Sequence, residues 1–124
     1  MPAEWERHAR TWMAFPTLNA TFDDDPALAT ARAAWAAVAN TIARYEPVTM
    51  LVDPGDRPEG LDPRIAVARV PLDDAWLRDS GPTFVHAEDG GTRAVDWVFN
   101  GWGAQSWAEW DADRLVAGHV ADLA

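Results

Sequence analysis

The chain has no cysteine and no lysine among its 124 residues, and no unbroken run of eighteen apolar residues. Without cysteine there are no disulfides, although that absence alone says nothing of the redox compartment. Without a long apolar run there is no candidate membrane-spanning helix. The first residues, with Glu4, Glu6, Arg7 and Arg10, lack a secretion-signal pattern, so a cytoplasmic location is expected. Positive charge is also scarce: ten arginines against twenty acidic residues leave a formal net charge of −10. An acidic surface offers no counter-charge to a phosphate backbone or an anionic membrane, so neither nucleic acid nor membrane is expected as a partner. A small cation would be drawn in instead, although acidic surfaces more often serve solubility. The all-arginine basic complement reads as the mark of a GC-rich genome.

What is present suits one compact domain, since 48% of the residues are hydrophobic, enough for a core at this length. The segments alternate as in an α/β protein. A short apolar run over 11–15, closed by Pro16, predicts a strand. Asp23, Asp24, Asp25 and Pro26 predict a helix start, with Asp25 as the cap and Pro26 in the first helical position. Leu28, Ala31, Trp35, Val38, Ile42 and Tyr45 then recur every three or four residues, an apolar stripe over about five turns that Pro47 ends. Residues 48–52 and 65–70 read as strands, separated by a Pro/Gly-rich loop. Residues 83–86 and 92–99 read as a hairpin around Asp89, Gly90 and Gly91. Residues 106–123 read as a helix, opened by Ser106 and Glu109 in capping-box spacing. There is no low-complexity segment and no close internal repeat.

The segment Asp73-Asp74-Ala75-Trp76-Leu77-Arg78-Asp79-Ser80-Gly81-Pro82 carries the chemistry. It leaves the carboxyl end of a predicted strand, which is where open α/β sheets bind ligands. A carboxylate accepts the N–H fork of a guanidinium in bidentate fashion, and an indole offers its face to the same flat cation. Trp76 and Asp79, three apart, can reach one ligand from two sides of a turn. Structural alternatives stand beside this: Asp79 paired with Arg78 or Arg69 or capping the turn at Gly81-Pro82, and Trp76 as a core aromatic. Asp73 and Asp74 suit a loop cap or a bond to Arg78 as well as contact with substrate. Arg78 would repel a cationic ligand and is expected to fix neighbouring carboxylates and carbonyls.

Four motifs widen the reading. Met1-Pro2-Ala3-Glu4-Trp5-Glu6-Arg7-His8, Thr11-Trp12-Met13-Ala14-Phe15-Pro16, the Asp73–Pro82 segment and Phe99-Asn100-Gly101-Trp102-Gly103 fall in the order found in agmatine deiminases. The chain resembles the opening third of such an enzyme, within the porphyromonas-type peptidylarginine deiminase family. The resemblance implies a pentein fold, a five-module α/β propeller, of which residues 1–124 would be a truncated N-terminal part holding the first one to two modules. It implies hydrolysis of a guanidine, agmatine above all or else peptidyl or free arginine, to a ureido group and ammonia, with no cofactor. Asp79 would be the catalytic carboxylate that holds the guanidinium, with Trp76 as pocket wall and Asp74 as a further substrate-binding acid.

In that scheme a cysteine thiolate attacks the guanidinium carbon and a histidine moves protons, while carboxylates orient the substrate. This sequence has no cysteine, and His8, His86 and His119 match no catalytic segment of the family, so both groups would lie outside it. No zinc or calcium ligand pattern is present. The residues around Asn100 are expected to support the site, with a lesser expectation that they line it. A chain of this kind also exposes strand edges and apolar faces, so self-association is expected. Two other classes remain. Eight tryptophans, among them Trp102, Trp107 and Trp110, could make a non-catalytic platform for a glycan or a protein partner. Glycoside hydrolysis by Asp74 and Asp79 is a poor third, since it needs two carboxyls facing each other across a cleft.

Overall fold

The computed structural model describes residues 2, 3 and 5–124, so Met1 and Glu4 of the first motif lie outside the described residues. The protein is of mixed α/β class. Three strands, β1 (Thr11–Ala14), β2 (Val48–Val52) and β3 (Ala66–Arg69), form a parallel sheet in the order β1-β2-β3. Helix α1 (Asp25–Ile42) links β1 to β2, pairing Thr11 with Val48 and Ala14 with Leu51. A parallel neighbour needs such a crossover, because the chain must return to the same end of the sheet.

All five residues of β2 are buried, as expected of a central parallel strand covered on both faces. Val48, Met50 and Val52 pack with Phe15, Ala39 and Ile65 under α1. Leu51 faces the other way, into a cluster with Ala14, Val70, Leu72, Val116 and Val120. That second face is closed by α2 (Leu77–Ser80) and α4 (Val116–Leu123), the latter entered through a 3-10 turn at Asp113–Leu115. The hairpin of β4 (Thr83–His86) and β5 (Thr92–Val95) stands apart as a two-stranded antiparallel sheet. No helix among the described residues is long and apolar enough to cross a membrane.

Four expectations need correction. The cap of α1 is Asp24, whose carboxylate accepts the Ala27 amide at 2.7 Å, which places Asp25 inside the first turn. The buried stripe of α1 is Leu28, Ala31, Ala36 and Ala39, whereas Val38 is 52% exposed and Tyr45, beyond the helix end, 81%. Alanines let the helix lie close on the sheet, so the small residues face inward and the larger Val38 turns out. The helix expected over 106–123 forms only from residue 113 onward, because residues 105–112 are committed to contacts elsewhere in the chain. The strand expected over 92–99 likewise ends at Val95.

Candidate guanidinium site

The loops that leave the carboxyl ends of β1 and β3 are tied together. Asn19 donates its side-chain amide to the Asp73 carbonyl at 2.7 Å, while its own carbonyl oxygen accepts the amides of Thr21 and Phe22. The Thr21 hydroxyl donates to Asp74 Oδ2 at 2.8 Å, and Asp74 Oδ1 accepts the Ala75 amide at 2.7 Å. Asp74 is therefore buried, 6% exposed, with both carboxylate oxygens engaged. Its geometry is that of a pin between two loops, and a buried carboxylate is retained only where such bonds hold it.

Aromatic rings continue the join. Phe22 meets Trp35 edge to face at 6.1 Å, and Trp35 meets Trp76 in the same manner at 5.9 Å. Trp76, the residue that opens α2, is thus braced on one side and remains 39% exposed. One turn on, the Asp79 amide donates to the Trp76 carbonyl at 2.9 Å, so the two residues share that turn. The Asp79 side chain is exposed to solvent, and its Oδ1 accepts the indole N–H of Trp102 at 3.1 Å. Arg69 is not its partner, because that guanidinium donates to the carbonyls of Asp53 and Asp56.

Asp73 faces the opposite direction, toward α4. Its Oδ2 accepts the amides of Ala112 and Asp113 at 2.7 and 3.1 Å, while its own amide donates to Asp113 Oδ1 at 2.9 Å. Asp113 is 1% exposed, and burial pushes its carboxyl up to about 6, against the pull of the amide donors it accepts. Sequence reading passed over Asp113, Thr21 and Asn19, since a lone acid or amide carries no local signal of a contact so far along the chain. Trp102 had such a signal in its flanking glycines.

Two grooves lie elsewhere. One of about 870 Å³ runs between α1 and the loop after β2, lined by Leu28, Arg32, Ala36, Asn40, Asp56 and Gly60. There Arg32 is ion-paired with Asp56, donates to the Pro16 carbonyl and lies 5.3 Å over the Phe15 ring, so that arginine is already held. Trp76 and Asp79 instead form an open surface. The tryptophans expected as a platform pack on their own chain: Trp102 stacks on Trp107 at 5.4 Å, and the Trp110 ring lies against Gly101. His8 pairs with Glu46 and His86 with Glu6, and both pairs are partly exposed. Among the described residues no group of three or more acids and histidines could hold a metal ion.

The family model for the Porphyromonas-type peptidyl-arginine deiminases matches residues 1–124. The chain belongs to that family. It is 58% identical to a provisionally named agmatine deiminase of Streptomyces coelicolor and 45% identical to the agmatine deiminase of Stutzerimonas stutzeri. The first match covers 100% of this chain and 38% of the relative, the second 99% and 35%. In three dimensions it is similar to the agmatine deiminase of Enterococcus faecalis, with a TM-score of 0.85 and 33% identity over 99% of this chain and 35% of that one. The chain thus spans little more than a third of these deiminases.

Proposed function

We propose that this chain is the guanidinium-binding, N-terminal part of a single agmatine deiminase domain, its parallel sheet and α1 contributing to a five-module pentein propeller. The reaction is hydrolysis: agmatine and water give N-carbamoylputrescine and ammonia, with no cofactor. Asp79 accepts the N–H fork of the guanidinium and Trp76 walls its flat face, which orients the central carbon for a thiolate and a histidine supplied from outside these residues. The observation that carries this reading is that Asp79 is an exposed carboxylate on the same turn as a braced, partly exposed indole, while Asp73, Asp74 and Asp113 are all turned inward. Agmatine is favoured over free arginine because a net charge of −10 attracts its second cation and repels the α-carboxylate of the amino acid. The tryptophan platform is not favoured, since Trp102 and Trp107 cover each other.

Agmatine titrated into the purified chain, followed by indole N–H resonances in two-dimensional NMR, tests this. Trp76 should shift at millimolar agmatine but not with putrescine, which keeps the amine and lacks the guanidinium. D79A should abolish the shift, and no ammonia should be released. Equal responses to agmatine and putrescine, or binding that survives D79A, would remove Asp79 from the site.

A further inference from the structure

Residues 101–104 form α3 (Gly101–Ala104), a single turn that winds left-handed: φ is 61° at Gly101, 56° at Trp102, 89° at Gly103 and 58° at Ala104. For residues carrying a Cβ this conformation costs about 1–2 kcal/mol each, and an unbroken left-handed turn is not a default of any sequence. Here it is held from within. The Ala104 amide donates to the Asn100 carbonyl at 2.8 Å, the Gln105 amide to the Gly101 carbonyl at 3.1 Å, and the Gly103 amide to Asn100 Oδ1 at 2.9 Å. It is held from outside as well, because a Cβ on Gly101 would stand 2.2 Å from Trp110 Cε3, so the ring packs where only glycine leaves room.

The turn sets the direction of one side chain. The Trp102 ring stacks on Trp107 with 23° between planes and meets Phe99 edge-on at 5.2 Å, which fixes its plane and leaves Nε1 pointing at Asp79 Oδ1. An exposed carboxylate otherwise rotates freely about its terminal bond. Bidentate capture of a guanidinium requires the carboxylate to lie in the ligand's plane. One donor on Oδ1 restricts that rotation while leaving Oδ2 and a second lone pair of Oδ1 for a ligand.

We propose that Trp102 is a positioning residue for guanidinium binding, acting through Asp79: the strained turn at 101–104 aims its indole N–H so that the carboxylate is oriented before the ligand arrives. This rests on Asp79 being the carboxylate that meets the guanidinium. Strain stored beside a ligand-binding group is the pattern expected where orientation is set in advance.

The test compares the full chain with W102F, which keeps an aromatic stack and lacks the N–H, with D79A, and with the double variant. Agmatine affinity is read by NMR titration and folding by thermal denaturation. W102F should bind agmatine at least about tenfold more weakly, as for loss of one hydrogen bond to a charged group. D79A should abolish binding with or without W102F, so the action of Trp102 is read from W102F alone and from the indole N–H. In the wild-type spectrum the assigned Trp102 indole N–H should lie downfield and move upfield in D79N. If D79A abolishes binding while W102F binds like wild type, Trp102 does not act through Asp79 and the proposal fails, although the assignment of Asp79 survives. If D79A leaves binding intact, both readings fail. Should W102F not fold, the D79N spectrum decides alone: an unmoved Trp102 N–H overturns the proposal.

Discussion

Asp73 and Asp113 clasp each other through the main chain: the amide of each donates to the carboxylate of the other, at 2.9 and 3.1 Å. The clasp joins the loop that carries Trp76 and Asp79 to the start of α4, so the candidate site is anchored on the helix that closes one face of the sheet. It does so with two acids in close company, one of them almost fully buried.

That arrangement gives stability a pH dependence whose sign follows from Asp113. Its folded-state pKa is raised to about 6 from an ordinary 3.8, so the folded protein binds a proton more tightly than the unfolded chain. The contribution is full below pH 4 and is lost as pH rises through 6. Urea denaturation at several pH values should show the wild type losing up to about 3 kcal/mol relative to D113N between pH 4 and 7.5. Parallel profiles for the two proteins would show that Asp113 does not titrate in this way.

The bond from Thr21 to Asp74 predicts a second effect. Thr21→Val removes the hydroxyl and leaves a buried carboxylate oxygen without its donor, which costs about 1–3 kcal/mol. Thr21→Ser keeps the hydroxyl and should stay within about 0.5 kcal/mol of wild type. The stability difference between these variants measures the tie between the two loops; equal stabilities mean that the loops are held together by Asn19 and the aromatic rings alone.

The left-handed turn can be probed by comparing its two glycines. Gly103→Ala meets nothing within 4 Å and bears only the backbone cost of φ 89°, about 1–2 kcal/mol. Gly101→Ala adds a collision with the Trp110 ring and should cost distinctly more, with altered near-ultraviolet circular dichroism from the displaced indole. Identical losses at the two positions would show that Trp110 does not pack against Gly101.

Much of the fold is legible in the residues because its signals are local. Hairpin strand β4 is bounded as expected around Asp89-Gly90-Gly91, and β2 is announced by a β-branched apolar run. Asp24 rather than Asp25 caps α1 because three successive aspartates offer the same cap, and only the path of the entering chain chooses among them. The C-terminal helix was misjudged for a different reason. Ser106 and Glu109 carry a sound local start signal, yet Trp107 stacks on Trp102 and the Asp113 amide is given to Asp73, and these contacts outweigh a capping box. The inward face of α1 was missed in part because periodicity favours large apolar residues, whereas close approach of helix and sheet favours alanine.

By itself the sequence determined the α/β class, the order of strands and hairpin apart from the end of β5, and the family, through motifs spread along its whole length. Which carboxylate stays in solvent was left to the tertiary structure. Asp73, Asp74 and Asp79 stand within seven positions of one another in similar surroundings, and nothing local separates them. Thr21, Asp113 and Trp102, from three distant parts of the chain, take one acid each: the first two hold theirs inward, and the third donates its indole N–H to the one that stays in solvent. A carboxylate's role depends on its donors and its access to water, and both are set by segments that meet only when the chain has folded.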